Sequence, residues 1–236
     1  MIEAAQAKES LKPLPQRSGR RRFSTVQLLI VLGLLFFSFP FVEEVRGGDI
    51  IVSVLLSLVL ISAVLAVASR RRTLVVAVLL MVPAIAGRWI NHFRPDLVPP
   101  AVFLVSGLVL IAFVVGNLLR FVLRAPSVDT EVLYASISAY LMLGLIWTMA
   151  YWLVDQLTPG GAFSFNTNAG KQSMNGFNAF YFSFITLSTV GYGDITPLSR
   201  IARWLAALEA MTGLLYVAVL IARLVSLYSI PKSNDS

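Results

Sequence analysis

The sequence predicts an all-α integral membrane protein with six transmembrane helices and a short apolar segment that enters the bilayer without crossing it. Composition gives the first reason: 57% of the 236 residues are hydrophobic, only 13% are charged, and the mean hydropathy is +0.80. Soluble domains are far richer in charge, so these values indicate a bilayer as the solvent. The second reason is that apolar runs of about 20 residues, the length of one crossing, recur along the chain.

Residues 1–24 precede the first crossing and hold scattered charges, two prolines and an arginine cluster at residues 17–22. This composition cannot bury a core, so we predict a basic cytoplasmic tail without fixed structure. The apolar run at residues 25–41 could be the core of a signal peptide, because basic residues precede it. No small-residue cleavage pattern follows at residues 42–48, and we therefore predict a retained crossing.

Residues 25–124 are predicted to form a peripheral module of four helices. After the first crossing, its apolar runs cover residues 50–68, 73–90 and 101–119. Pro83 lies inside the third run, where we expect a kink rather than a helix end, because neighbouring membrane helices can satisfy the freed carbonyl. The fourth run contains no arginine, and only Arg120 and Arg124 follow it closely.

Residues 125–228 are predicted to form a second unit with an outer helix at 132–154, a polar turret at 155–175, a short helix at 176–188, a loop at 189–194 and a last helix at 198–228. Residues 229–236 would be a short cytoplasmic tail. As a helix, residues 177–188 would span only about 18 Å, although they are apolar and aromatic. We predict a re-entrant helix, since irregular backbone at membrane depth is tolerated only where protein or water encloses it.

Arginines indicate the orientation. With six crossings, the N-terminal tail, the loop at residues 70–72, Arg120 and Arg124 fall on one side, which the excess of positive charge marks as cytoplasmic. Both termini are then cytoplasmic. Four arginines break the pattern and are expected to snorkel or pair: Arg88, Arg94, Arg200 and Arg203. The net charge of +7 predicts contact with anionic lipid rather than nucleic acid, because the basic residues share no soluble face.

The most informative stretch of the sequence is the loop Thr189-Val190-Gly191-Tyr192-Gly193-Asp194. Glycine lacks a Cβ and takes up left-handed backbone angles freely, so the two glycines let successive carbonyl groups point the same way. Four such loops around one axis would stack rings of oxygen atoms that replace the hydration shell of an ion. Residues 180–197 resemble the pore segment of the potassium channel family, whose filter signature reads T-V-G-Y-G followed by an acidic residue.

The resemblance implies a homotetrameric, potassium-selective channel that performs no bond chemistry and uses no cofactor. K⁺, the permeant ion, would be bound by the filter residues Thr189, Val190, Gly191, Tyr192 and Gly193. The six-helix plan is similar to that of voltage-gated-like channels. A voltage sensor needs several arginines along one crossing, so we expect no steep voltage dependence here. The basic tail and small loops suit a bacterial inner membrane.

The resemblance also implies supporting roles near the filter. Asp194 would form a ring of carboxylates at the outer mouth, braced by Tyr181, because the neighbouring Phe182 has no polar group. Some family members place a glutamate where this chain has Ile185. Two hydroxyl residues either bond around the base of the filter or are ordinary helix hydroxyls: Thr186 and Ser188.

The last helix carries further candidates. Gly213 lies where the resemblance implies a hinge, although close helix packing would equally require a glycine. Helical spacing places three apolar residues on one face, as the expected cavity wall and gate: Leu214, Val217 and Ile221. Glu209 is an acid inside a crossing and therefore a candidate for modulation by pH. The alternative is a structural partner for Arg203 or for a hydroxyl on the short helix.

Other function classes fit parts of the sequence. The pattern G-x-G-D at residues 191–194 also occurs in intramembrane aspartyl proteases, but such an enzyme needs two carboxylates at one site, and only Asp155 lies near the end of another crossing. Potassium transporters of related architecture carry four pore repeats, whereas this chain has one. A regulatory subunit that conducts only in a hetero-oligomer is a further alternative. The absence of cysteine and the single histidine, His92, in an aromatic interfacial setting, argue against disulfide and metal sites.

Overall fold

The computed structural model describes residues 19–42, 47–68, 71–94, 96–127, 129–166, 173–174 and 176–228. Their elements are, in chain order, α1 (Gly19–Val42), α2 (Gly48–Val67), α3 (Arg71–Phe93), α4 (Pro100–Arg124), α5 (Thr130–Leu157), β1 (Phe163–Phe165), α6 (Gly176–Leu187), β2 (Ile195–Pro197) and α7 (Arg200–Tyr228). Of the predicted tail at residues 1–24, residues 1–18 lie outside the described residues, and residues 19–24 are not a tail but the start of α1. The predicted tail at residues 229–236 and the turret residues 167–172 and 175 also lie outside the described residues.

The predicted membrane class is confirmed in its main feature. Six helices are long and apolar enough to cross a bilayer: α1, α2, α3, α4, α5 and α7. Helix α3 runs on past Pro83 without a break. Helix α6, with 12 residues, is apolar but shorter than a crossing.

The helices extend further than the hydropathy runs predicted. Helix α4 ends at Arg124 instead of residue 119, because arginine is a good helix former and the next proline, Pro126, comes two residues later. Helix α5 covers Thr130–Leu157 instead of residues 132–154. Its first turn is capped by the Asp129 carboxylate, which accepts a hydrogen bond from the Val132 amide at 3.0 Å. Hydropathy marks the edge of the lipid, whereas a helix continues until a cap or a proline ends it.

Two strands of three residues each lie in the turret and after the filter loop, where the all-α prediction had none. Strand β1 pairs antiparallel with β2, with Ser164 opposite Thr196. The amides of Leu198 and Ser199 then donate to the carbonyl oxygen of Ala162, at 2.8 and 3.2 Å. This pairing holds the chain extended, so the last helix begins at Arg200 and not at residue 198.

Helix α1 packs against the second unit of the chain as well as against α2. Its aromatic residues Phe36 and Phe39 contact the ring of Phe180 on α6, with centroids 4.8 Å apart in both pairs. Phe36 also meets Phe184 edge-on at 4.5 Å. Aromatic pairs in these arrangements stabilise by about 0.5–1.5 kcal/mol beyond the area they bury. The first helix is therefore joined to the short helix that precedes the loop at residues 189–194.

The close approach of α5 and α6 depends on Gly144. A Cβ at this position would lie 2.0 Å from Cζ of Phe184, whereas a Cβ at Gly116 of α4 would meet no atom within 4 Å. We predict that Gly144→Ala lowers the free energy of unfolding by about 1–3 kcal/mol, because the Phe184 ring must move within packed surroundings. Thermal unfolding of the purified protein in detergent measures this, with Gly116→Ala as the matched control. Equal melting temperatures for the two variants would contradict the packing.

Candidate functional site

The loop after α6 has an alternating backbone conformation. Thr189, Gly191 and Gly193 have positive φ angles of 60°, 53° and 80°, and the residues between them do not. The short helix ends at Leu187, one residue earlier than predicted, and Ser188 and Thr189 form a turn. The two glycines signalled this conformation in the sequence. Thr189 did not, and within the described residues it is the one non-glycine with positive φ.

The amides of this loop are tied to the end of α6. The Thr189 amide donates to the carbonyl of Thr186 at 2.9 Å, and the amides of Val190 and Gly191 donate to the carbonyl of Ile185 at 2.8 and 3.2 Å. Among the hydrogen bonds of the described residues, none ends on the carbonyl oxygens of residues 189–192. Four consecutive carbonyls are therefore left available while the strand that carries them is anchored.

The outer end of the loop is held by the turret. The carbonyl of Asp194 accepts a hydrogen bond from the Asn166 amide at 2.7 Å, directly beside the paired strands. The carboxylate of Asp155 accepts bonds from the amides of Ala162 at 2.6 Å and Met174 at 3.3 Å, which fixes the fold of the turret. The contacts of Asn166 with Asp194 and of Met174 with Asp155 have no signal in the local sequence pattern, because they join residues distant along the chain.

Tyr181 interacts with the Asp194 side chain, and its bracing role stays a prediction. The Tyr181 hydroxyl is a hydrogen-bonding neighbour of the Asp194 carboxylate. A tyrosine hydroxyl is a hydrogen-bond donor at neutral pH. One carboxylate oxygen of Asp194, Oδ1, is buried without a hydrogen-bond partner among the described residues.

Glu209 joins three helices behind the filter loop. Its carboxyl group is fully buried in α7 and accepts a hydrogen bond from the Tyr151 hydroxyl of α5. The Ser183 hydroxyl of α6 lies 2.6 Å from Oε1 of Glu209 and 2.8 Å from the carbonyl oxygen of Gly144. A serine hydroxyl has one proton and cannot donate to both oxygens. A protonated Glu209 would donate to Ser183 and leave Ser183 to donate to Gly144, whose carbonyl oxygen also accepts from the Thr148 hydroxyl at 2.8 Å.

Comparison with known proteins identifies this region. A family model described as "Ion channel" matches residues 139–229. Protein LctB of Bacillus caldotenax is 32% identical over 95 residues, which cover 39% of this chain and 69% of that protein. Two-pore potassium channel 4 of Arabidopsis thaliana is 45% identical over 49 residues, 21% of this chain and 17% of that channel. Two-pore potassium channel 1 of the same plant is 32% identical over 88 residues, 37% of this chain and 20% of that channel.

The chain belongs to the potassium channel pore family. The match covers the second unit, from within α5 to the end of α7, and it includes the filter loop and Glu209. The chain spans only about a fifth of the length of the plant relatives. No solved structure matches the chain significantly.

The remaining predicted support residues have ordinary helical contacts. The Ser188 hydroxyl donates to the carbonyl of Phe184 at 2.6 Å, one turn earlier in the chain. Thr186 contributes its backbone carbonyl to the filter loop, as the acceptor for Thr189. Ile185, which stands where some family members have glutamate, is buried and supplies the carbonyl that holds two filter amides.

Gly213 lies where α7 crosses the end of α6. A Cβ at this position would lie 2.0 Å from the carbonyl oxygen of Leu187, the last residue of α6. Close packing alone therefore requires glycine here, and the hinge role stays a prediction. The three residues expected to form the cavity wall share a face that other parts of the described chain leave uncovered: Leu214, Val217 and Ile221. Arg203 bonds to the carbonyl of Pro197 and not to Glu209.

The Glu209 contacts predict a contrast between two substitutions. Glu209→Gln should keep the stability of the wild type, because an amide can accept from Tyr151 and donate to Ser183 as the protonated acid does. Glu209→Leu should lower the free energy of unfolding by about 1–3 kcal/mol, because it leaves the buried Tyr151 hydroxyl without a partner. Thermal unfolding of the two variants in one detergent measures the difference. A leucine variant as stable as the wild type would show that the carboxyl group does not hold the three helices together.

Proposed function

We propose that this protein is a potassium-selective channel in which four copies each supply one filter strand, and through which K⁺ moves down its electrochemical gradient. The observation that carries the proposal is the filter loop itself: the amides of residues 189–191 are bound, and the carbonyls of residues 189–192 are free. Carbonyl oxygens in this arrangement replace the water around a cation. The named potassium channels among the relatives support K⁺ as the ion.

Free carbonyl groups at membrane depth explain why several copies are needed. An unsatisfied backbone group in hydrocarbon costs on the order of several kcal/mol, so these carbonyls cannot face lipid. The side chains of Val190 and Tyr192 are 53% and 73% exposed in the single chain. Four loops around an axis enclose the carbonyls and offer them hydrated ions, with α6 as a re-entrant pore helix. The uncovered apolar face of α7 would line the inner cavity and contact neighbouring subunits.

The orientation and location follow from charge and from one relative. The arginine distribution supports cytoplasmic termini and an outer mouth, with Asp194, on the opposite side. The relative from Bacillus caldotenax supports a bacterial cell membrane. Anionic lipid on the cytoplasmic side is the expected partner besides identical subunits. The channel would need no cofactor, would not bind nucleic acid and would not be an enzyme.

Gating by voltage is not expected to be steep. Helix α4 carries its two arginines, Arg120 and Arg124, at one end only, and both are exposed. Charges at the end of a helix move through little of the membrane field. The protease alternative loses its second acid, because the Asp155 carboxylate is already occupied by turret amides. A regulatory subunit stays the alternative that flux measurements on the protein alone must test.

The filter proposal predicts a position-specific effect of one methyl group. Gly193 and Gly160 have similar φ angles, 80° and 83°, and alanine at either pays a similar backbone penalty of about 1–2 kcal/mol. Only Gly193→Ala should abolish rubidium uptake into liposomes that hold the purified protein, because only Gly193 lies in the filter. Gly160→Ala, in the turret, should keep the wild-type rate, with sodium excluded in both cases.

Three results, one from the oligomeric state of the purified protein and two from its ion flux, would contradict the proposal. Wild-type protein that stays monomeric in native-like lipid would remove the tetramer. A wild type that is tetrameric but silent would indicate the regulatory subunit. Equal flux in Gly193→Ala and Gly160→Ala would place ion conduction outside the filter loop.

Glu209 gives a second functional prediction. The hydrogen bonds of a protonated Glu209 are reproduced by glutamine, so the conductance of the wild type and of Glu209→Gln should follow the same curve as pH is varied around neutrality. Planar bilayer recordings measure both curves. A pH dependence that is present in the wild type and absent in Glu209→Gln would show instead that this carboxyl group modulates opening.

A further inference from the structure

A cavity outside the pore holds a charged side chain within the membrane-spanning part of the chain. It has a volume of about 350 Å³ and is bounded by helices of both units, from Phe39 of α1 to Phe180 of α6. Volumes of this size hold small molecules or parts of larger ones. Four residues with polar groups line it near the helix ends on the filter side: Asp49, Arg88, Asn91 and His92. Most of the remaining lining is apolar, so the cavity suits an amphiphilic ligand, with one polar and one apolar part.

The Arg88 guanidinium is fixed in this cavity by three neighbours. Its Nε donates to the Ser53 hydroxyl at 3.0 Å, and that hydroxyl donates to the carbonyl of Asp49 at 2.6 Å. The rings of Phe103 and Trp152 lie 5.5 and 5.8 Å from its central carbon, within the range of cation–π attraction. The rotamer is thus set in advance. The terminal nitrogens of the guanidinium have no hydrogen bond to the described residues.

The charge of Arg88 lacks an ion-pair partner in the described chain. Asp49 attracts the guanidinium electrostatically, but no carboxylate oxygen among the described residues lies within 4 Å of it. Arginine stays protonated, and its planar fork matches the oxygens of a phosphate. A half-buried cation within the membrane-spanning part of a protein favours such a partner. Arg88 and Asp49 line the same cavity without forming an ion pair, and their opposite charges make the site neutral overall.

We propose that this cavity binds a phospholipid with an ethanolamine headgroup. The phosphate binds the Arg88 fork, the primary ammonium donates hydrogen bonds to Asp49, and an acyl chain lies along the apolar lining. A net neutral site favours a zwitterion over a net anionic lipid. A quaternary ammonium has no N–H group to donate, so Asp49 selects ethanolamine over choline. The lipid would join the first helices to the N-terminal end of α6, where Gly176 and Phe180 border the cavity.

Native mass spectrometry of the full-length protein tests this, with phosphatidylethanolamine, phosphatidylcholine and phosphatidylglycerol of identical acyl chains. The wild type should retain phosphatidylethanolamine most strongly. Arg88→Gln should weaken its binding about tenfold, the loss expected for one charge-assisted contact. Asp49→Asn should remove the preference for ethanolamine over choline and leave phosphate binding. The matched controls are Arg94→Gln and Asp96→Asn, which change exposed residues outside the cavity and should leave binding unchanged.

Two further arms decide the source of the ligand and guard against misfolding. Ser53→Ala removes the acceptor for Nε, together with one hydrogen bond within α2 to the carbonyl of Asp49, and should weaken phosphatidylethanolamine binding several-fold even if Arg88→Gln fails to fold. Added inorganic phosphate should not displace the lipid. Equal retention of the three lipids, unchanged retention in Arg88→Gln, or displacement by inorganic phosphate would each overturn the proposal. A wild type that fails to retain the lipid, together with a double variant Glu43→Gln/Glu44→Gln that retains it, would also overturn the proposal. The readout is independent of ion flux, so it stands apart from the proposed function.

Discussion

The anchoring of the filter amides to the end of the pore helix is the interaction on which the rest of the site depends. Carbonyl groups can face an axis only if the strand that carries them is held by something else, and here the carbonyls of Ile185 and Thr186 hold it. The turret holds the other end through Asn166 and the paired strands. In the proposed channel, a strand fixed at both ends would keep its oxygens in place when an ion leaves, at little cost in reorganisation. The position of the pore helix therefore determines the geometry of the filter.

Three kinds of contact fix the pore helix in turn. Glycines at positions 144 and 213 let the outer and inner helices approach it closely, the second at the level of the Leu187 carbonyl. The buried Glu209 links it through Ser183 to Tyr151. Aromatic rings of the first helix cover its outer side. Membrane helices gain little from hydrophobic burial against one another, so small residues, hydrogen bonds and ring contacts are the interactions available for this purpose.

The sequence predicts the features that depend on local composition. The six crossings follow from apolar runs whose length matches a bilayer, and the filter follows from two glycines at fixed spacing. The features that it does not predict depend on residues distant along the chain. The pairing of β1 with β2 joins segments of three residues, too short for a periodic signal. The positive φ of Thr189 has no compositional signal, because threonine rarely adopts it.

Contacts of the first helix and of Glu209 illustrate the same limit. The sequence marked Glu209 as unusual, because an acid inside a crossing is costly, but it left open whether the partner was Arg203 or a hydroxyl. The structure places it on Ser183 and Tyr151. Phe36 and Phe39 look like any lipid-facing aromatic residues in the sequence, and only the assembled helices show that they meet Phe180.

The central claim is that free main-chain carbonyls in four converging filter loops select K⁺. The most direct measurement is the single-channel reversal potential of the purified protein in a planar bilayer, with K⁺ on one side and Na⁺ at equal concentration on the other. A carbonyl filter predicts a reversal potential far from zero, with the sign expected when K⁺ alone carries the current. A reversal potential near zero would show that the pore passes both ions alike and would contradict the account.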